Sequence, residues 1–437
     1  MLVVDGSGEE KCVSGFSFTE NGHSNVFSLD IPQSLGWYYS GFTSYLGFRP
    51  NRDEGKMMGL AAFGEKKKEN NPWFEVLDKI LKVTDNGFEL DPTYFKFGGN
   101  EYHPRFTDKL VRLITSHNRD LQPVGVDEII DFNGKKNHKY LLDDYVNLAY
   151  AVQTRLEEAM GSLARFLVKK TSINDLCLAG GVSMNCKVNS YILKDSGIND
   201  IFVHPASTDD GSCIGAAFYI SKEMGYNPRN ILKNVQLGPS FKNDEVEKTI
   251  KRCNLSYSIP DDISLEVAKL IHKGKIVGWF QGGCEMGARA LGGRSIIAST
   301  MFKGIKAKIN SNVKRREQWR PYCPSISSKY KENYFKEPVE TPFMILARSA
   351  TEKLLSAAPD TVHVDSSVRP QTVEETVLPR WHRLLEHTQQ LNGHPLVLNT
   401  SLNIRGEPMA CHPYEAISYL FTTGLDALAI EDFLISK

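Results

Sequence analysis

The sequence predicts an α/β fold divided between two domains, on three observations. At 437 residues the chain exceeds what one compact core organises. Strand-like and helix-like runs alternate through the middle of the chain. Small-residue turns sit where each strand hands over to its helix.

The first element is the apolar run "LVV", which ends in Asp5-Gly6. After Ser7-Gly8 a second strand-like run resumes around Cys12 to Phe16. Asp-Gly between two such runs favours a tight hairpin, because glycine accepts positive φ. An aromatic segment, "SLGWYYSGFTSYLGFRP", and a glycine-rich one, "EGKMMGLAAFGE", come next. Residues 65–145 are polar and rich in loops, with "EKKKENN" and "FNGKKNHK" read as solvated.

From about Asp143 to Lys170, Val146, Leu148, Val152, Leu156, Met160, Leu163 and Leu167 recur at helical spacing and predict one long amphipathic helix. It leads into "INDLCLAGGVSMNCKVN", read as a buried strand, a Gly-Gly turn and a helix. "DIFVHPA" then "STDDGSCIGAAFYI" repeat the pattern. Prolines and glycines in "GYNPRNILKNVQLGPSF" place a boundary at 224–242, giving domains 1–235 and 236–437. The second domain opens with the helix "SLEVAKLIHKGK" and the strand "IVGWF".

Charge is balanced, with 52 basic and 52 acidic residues, so no global field steers the chain toward nucleic acid or an anionic membrane. A hydrophobic fraction of 41% is ordinary for a globular protein, and no apolar stretch is long enough to span a bilayer. The start lacks the features of a secretory signal. Eight cysteines without a Cys-x-x-Cys pair argue against a zinc knuckle or disulfide framework and fit a reducing cytoplasm.

Three turns carry candidate chemistry in the first domain. Gly180-Gly181, with Val182 and Asn185, is either a site where bare N–H groups meet a phosphate or ribose, or a tight strand-to-helix turn. Asp209 and Asp210 before Gly211 either cap a helix or ligate a metal. Asp5 ends the first strand. Together, carboxylates after two strands with a glycine turn between them suit a nucleotide–metal cleft of the actin-like ATPase type.

The second domain is richer. "GCEMGARALGGRSI" places Arg289 and Arg294 among glycines, "NSNVKRREQWRPYCPS" adds Lys314, Arg315, Arg316 and Arg320, and "LNTSLNIRGEP" offers Asn399, Ser401 and Arg405. Guanidinium groups bind phosphate or carboxylate oxygens in pairs, and hydroxyl and amide groups complete such a site. The competing readings of 303–320 are a solvated helix face and a weak nucleic-acid patch. His363 and Asp365 are either an acid–base pair or a structural contact.

The motifs "VVDGSGE", "SLGWYYSGFTSYLGF", "KMMGLAAFGE", "LAGGVSMNC", "DDGSCIGAA", "GARALGGRSI", "NVKRREQWRPYCPS", "HVDSSVRPQTV" and "LNTSLNIRGEP" occur in order through nearly the whole chain. In this they resemble the NodU/CmcH family of O-carbamoyltransferases. The resemblance implies a Kae1-like domain of actin-like ATPase fold followed by an α/β YrdC-like domain. It implies ATP-dependent formation of carbamoyl-adenylate from carbamoyl phosphate, then transfer to a hydroxyl of a small-molecule or sugar acceptor. By motif, Arg289, Lys314, Arg320, Asn399 and Ser401 would hold carbamoyl phosphate and the adenylate. Gly180, Gly181, Val182, Asn185, Gly211, Arg294 and Arg405 would line the nucleotide and anion sites. Asp5 and Asp209 would ligate a divalent metal, iron, zinc or magnesium.

Two departures qualify the resemblance. Gly293 stands where the family usually has Asn. The resemblance implies a His-x-x-x-His pair upstream of the first strand and none precedes Asp5, so the first domain is read as incomplete, with weak or absent metal in this chain alone and competence at best for carbamoyl-adenylate formation unless a second polypeptide supplies the segment. Two alternatives remain open: a threonylcarbamoyl-type tRNA-modifying enzyme, and a non-catalytic nucleotide-binding partner subunit. A homodimer is also compatible with the sequence, whereas nucleic acid and membrane partners are not expected.

Overall fold

A computed structural model describes residues 1–20, 22–98, 103–125, 143–227, 231–337 and 339–437. "FNGKKNHK" and residues 228–230 of the boundary segment lie outside the described residues. The protein is mixed α/β and divides into two compact units, Met1–Cys213 and Ile214–Lys437.

In the first unit, β1 (Leu2–Val4) and β2 (Lys11–Thr19) pair as an antiparallel hairpin, but the chain reverses at Gly8–Lys11, where Gly8 N donates to Lys11 O at 2.9 Å, and not at Asp5-Gly6, whose glycine does not take positive φ; β3 (Gly22–Asp30) extends the hairpin antiparallel. Helix α1 (Leu35–Tyr45) starts at Ser34, whose Oγ accepts from Trp37 N at 3.1 Å, satisfying one of the unpaired donors of a helix start. The apolar stripe read between 143 and 170 is helix α2 (Asp143–Thr171), and all seven of its named apolar residues are buried. Then come β4 (Asp175–Ala179), α3 (Cys186–Asp195) and β5 (Asp200–Val203); helix α4 (Ser212–Glu223) starts at the end of this unit and lies mostly in the second. The sheet order is β3-β2-β1-β4-β5, with β1, β4 and β5 parallel. This follows from the sequence, since a strand–helix–strand connection returns the chain in the same direction.

The second unit holds α5 (Ile263–His272), β6 (Val277–Phe280), β7 (Arg294–Ala298), β8 (Cys323–Ser327), β9 (Gln371–Val373), α6 (Pro379–Asn392), β10 (Leu396–Ser401), α7 (Pro413–Thr422), β11 (Ala427–Ile430) and β12 (Phe433–Ser436). The strands make one seven-stranded mixed sheet, β9-β8-β10-β7-β6-β11-β12. Both faces are covered. Val267, Trp279, Trp381, Leu384 and Val397 pack on the side of α5 and α6, while Phe280, Ile296, Leu398, Leu420 and Leu428 pack on the side of α7. Double coverage is why β6 reads as a continuous apolar run instead of alternating and why every residue of β7 is buried.

Among the described residues no helix is long and apolar enough to cross a membrane. The cysteines are free thiols in contrasting settings. Burial pushes the Cys12 thiol up to about 11, whereas Cys213 is exposed. Iodoacetamide at pH 8 is therefore expected to alkylate Cys213 within minutes and leave Cys12 unmodified until the chain is unfolded, as read by peptide mass spectrometry.

Candidate active site

The cationic motifs of the second unit meet around the ends of β7, β8 and β10. Between β6 and β7 the chain forms a loop, 281–293, that uses positive φ at Gly282, Gly287 and Gly292. Its anchor is Glu285, which is buried and whose Oε1 accepts from the backbone N–H of Leu291 (2.8 Å), Gly293 (2.7 Å) and Arg294 (3.1 Å). Two further side chains pin the loop beside Arg289. Asn399 Nδ2 donates to Ala290 O at 3.0 Å, and Gln371 Nε2 donates to Leu291 O at 2.8 Å. Ser325 joins them, accepting from Asn399 Nδ2 at 2.9 Å and donating to Gln371 Oε1 at 2.6 Å.

Lys314 ends the turn Asn310–Lys314 and is buried. Its Nζ donates to Ser401 Oγ (3.1 Å), Asn403 O (3.1 Å) and Asn403 Oδ1 (2.5 Å), and to Ser401 O. Burial pushes its pKa well below the usual lysine value, with Arg316 and Arg320 adding to the effect, while the ring of oxygens favours the ammonium. Arg320 and Arg405, from distant segments, face one carboxylate. Arg320 lies 3.7 Å and Arg405 3.9 Å from the oxygens of Glu317, whose side chain is 7% exposed against 32% and 28% for the arginines. Lys314, Arg320, Arg405, Ser401 and Asn403 therefore form one cationic group, with Asn399 on the same strand as Ser401 and next to the Arg289 loop. Such a group can bind a phosphate and offset charge as it leaves.

The other arginines have different work. Arg294 is fully buried; its NH1 donates to the carbonyls of Gln281, Gly282 and Gly293, its NH2 to that of Pro239, and it lies 3.5 Å over the Phe280 ring. This corrects the phosphate contact implied for it: the guanidinium is committed to loop carbonyls and shows no face to solvent. Arg316 likewise donates to Asn310 Oδ1 at 2.8 Å and stacks on Tyr322. Asp365 accepts from Ser367 N and Oγ, and His363 Nδ1 from Val364 N, so both shape a local turn.

In the first unit the glycines bring strand ends together. A Cβ on Gly180 would stand 2.2 Å from Val4 O, and one on Gly181 would stand 3.1 Å from Asp5 Oδ1. A Cβ on Gly211 would stand 2.0 Å from Ala206 O. Asp5 Oδ1 accepts from Gly6 N at 2.7 Å. Val182 is buried. Asn185 caps α3 by accepting from Lys187 and Val188 N–H and donates to Gln153 Oε1 at 2.9 Å. Asp209 is exposed in the turn before α4 and accepts through its carbonyl from Ser212 Oγ. Among the described residues no three His, Cys, Asp or Glu side chains cluster to hold a metal ion. Two carboxylates alone do not fit an iron or zinc site, which normally draws on imidazole or thiolate donors.

Sequence reasoning missed Glu285, Glu317, Gln371 and Asn403. An acidic residue at the root of a glycine loop was the available signal for Glu285, since several bare N–H groups in a buried turn need an acceptor. Replacing Glu285 by Ala leaves three buried donors without it, a cost of about 3 kcal/mol or more. The expected result is a fall of ~6–12 °C in the thermal transition of the second unit, read by calorimetry. Glu285→Gln, which keeps an acceptor oxygen, should recover most of it.

A group of cations beside a doubly covered mixed sheet places the chain among α/β proteins with an anion-binding candidate site. Comparison with known proteins narrows that class. Residues 1–218 match the carbamoyltransferase N-terminus family model and residues 268–437 the carbamoyltransferase C-terminus model. The chain belongs to the NodU/CmcH family of carbamoyltransferases. Similar proteins include an uncharacterised protein of Synechocystis sp., 31% identical over 100% of this chain and 72% of its own length. Nodulation protein NolO of Bradyrhizobium diazoefficiens is 30% identical over 100% of this chain and 75% of its length. The 3'-hydroxymethylcephem-O-carbamoyltransferase of Streptomyces clavuligerus is 29% identical over 90% of this chain and 68% of its length.

Proposed function

We propose that the chain activates a carbamoyl group with ATP in the second unit and serves its transfer to an acceptor hydroxyl. The observation that carries this reading is the convergence of Arg320 and Arg405 on Glu317 beside the buried Lys314. A carbamoyl group is a sluggish electrophile, so it needs a better leaving group before a hydroxyl can attack it. In a balanced sequence, water releases phosphate from carbamoyl phosphate and leaves carbamate. A carbamate oxygen then attacks the α-phosphorus of ATP, forming carbamoyl-adenylate and expelling pyrophosphate. Finally an acceptor hydroxyl attacks the carbamoyl carbon, AMP leaves with the bonding pair, and the hydroxyl proton passes to solvent.

Arg320, Arg405 and Lys314 offset charge as phosphate and pyrophosphate depart. Asn399, with Ser325 and Gln371, holds the Arg289 loop against the strands so that its guanidinium is delivered without reordering. The acceptor class is argued from a relative whose name specifies a hydroxymethyl group.

Incubation with ATP and carbamoyl phosphate tests the reading. Pyrophosphate release that requires carbamoyl phosphate is expected. Release that instead requires threonine and bicarbonate points to tRNA-type chemistry, and nucleotide binding without turnover points to a partner subunit.

A further inference from the structure

A cysteine stands at the root of two loops of the site, the one bearing Arg289 and the one bearing Asn403 and Arg405. Cys284 directly precedes the anchor Glu285. Its backbone is tied to the segment before the sheet, with Gly238 N donating to Cys284 O at 2.9 Å and Cys284 N to Pro239 O at 3.0 Å. Cys411 directly follows Ala410, whose N–H donates to Leu402 O at 2.9 Å and closes the loop bearing Asn403 and Arg405. The next residue, His412, packs its ring against Phe241 at 5.0 Å between centroids. Cys284 and the residue after Cys411 thus both meet the same stretch, 238–241. The Cys284 and Cys411 side chains interact with each other, and both are half-buried and free.

We propose that Cys284 and Cys411 form a reversible disulfide that staples the two loops at their roots and restricts the movement of Arg289 and Arg405, making the site sensitive to peroxide. The linkage requires the two sulfurs to close to an S–S distance of about 2.05 Å. The oxidant is hydrogen peroxide. One thiolate attacks a peroxide oxygen and the O–O bond breaks, giving a sulfenic acid and water. The second thiol displaces the hydroxyl as a second water. Two electrons and two protons leave the sulfurs, one S–S bond forms, and a small thiol reverses the step by exchange. Burial pushes the Cys284 thiol up and Arg294 opposes that shift, so oxidation should quicken on the alkaline side of neutrality.

The effect on turnover rests on the proposed function; the linkage does not. The reduced chain is treated with hydrogen peroxide, digested without reductant and analysed by mass spectrometry. A Cys284–Cys411 linked peptide that dithiothreitol removes is expected, together with slower proteolysis within 286–293 and 402–410. Pyrophosphate release should fall roughly ten-fold or more on oxidation and return on reduction, while Cys411→Ser and Cys284→Ser keep their activity in peroxide. Oxidation of the exposed Cys177 and Cys213 with no linked peptide overturns the proposal, as does a linked peptide without loop protection. A chain with no release in either state refutes the functional reading, and the peptide and proteolysis readouts still decide the disulfide.

Discussion

Arg320→Ala is expected to lower carbamoyl phosphate-dependent pyrophosphate release roughly 100- to 1000-fold, the loss seen when one preorganised group facing developing charge is removed. The physical case lies in its position. The guanidinium is about one-third exposed, its 3.7 Å approach to Glu317 is too long for a strong hydrogen bond, and Arg405 shares that carboxylate. When Arg320 is removed, Arg405 still faces the nearly buried Glu317 carboxylate, which limits the loss in the folded chain. The thermal transition should therefore move by no more than a few degrees while activity collapses. Arg320→Lys should recover only part of the rate, because an ammonium cannot make the two parallel bonds of a guanidinium. Activity of Arg320→Ala within three-fold of the native chain would remove the cationic group from the mechanism.

Gly180→Ala should unfold or nearly unfold the first unit. Gly180 sits at φ 88° and ψ 161°, a region open essentially to glycine, and a side chain there costs on the order of 1–3 kcal/mol in backbone strain. The added methyl would also meet Val4 O at 2.2 Å, and overpacking against backbone costs another ~1–3 kcal/mol. The neighbouring backbone is held in place, since Gly180 N donates to Ser207 O at 2.8 Å and β1 pairs with β4. A combined loss near 4 kcal/mol is a large part of the stability of a domain. Gly55→Ala, a site with open space around it, is the matched control and should melt like the native chain. Circular dichroism melts of the two variants settle the comparison.

These two sites differ in how far the sequence could reveal them. The Gly-Gly turn was legible because a strand run, two glycines and a helix run are local signals. What stayed ambiguous was its purpose, and the contact with Val4 O and Ser207 O supplies a packing reason that needs no ligand. In the second unit the residue types were legible and their assignments were not. Arg294 and Arg320 look alike in sequence, each in a basic motif with glycine or proline nearby.

By itself the sequence determined the α/β class, the opening hairpin, the long helix at 143–171 and the strand–turn–helix pairs around 180 and 209. All of these rest on spacing and turn chemistry within a few residues. Only the tertiary structure decided which arginine became a buried loop anchor and which stayed partly exposed. That choice depends on acceptors brought from far along the chain: the carbonyl of Pro239 for Arg294, the carboxylate of Glu317 for Arg405. A guanidinium surrounded by carbonyls in a dry core is spent there, whereas one that is partly exposed and shares a distant carboxylate can still meet a phosphate, and no local pattern encodes that difference.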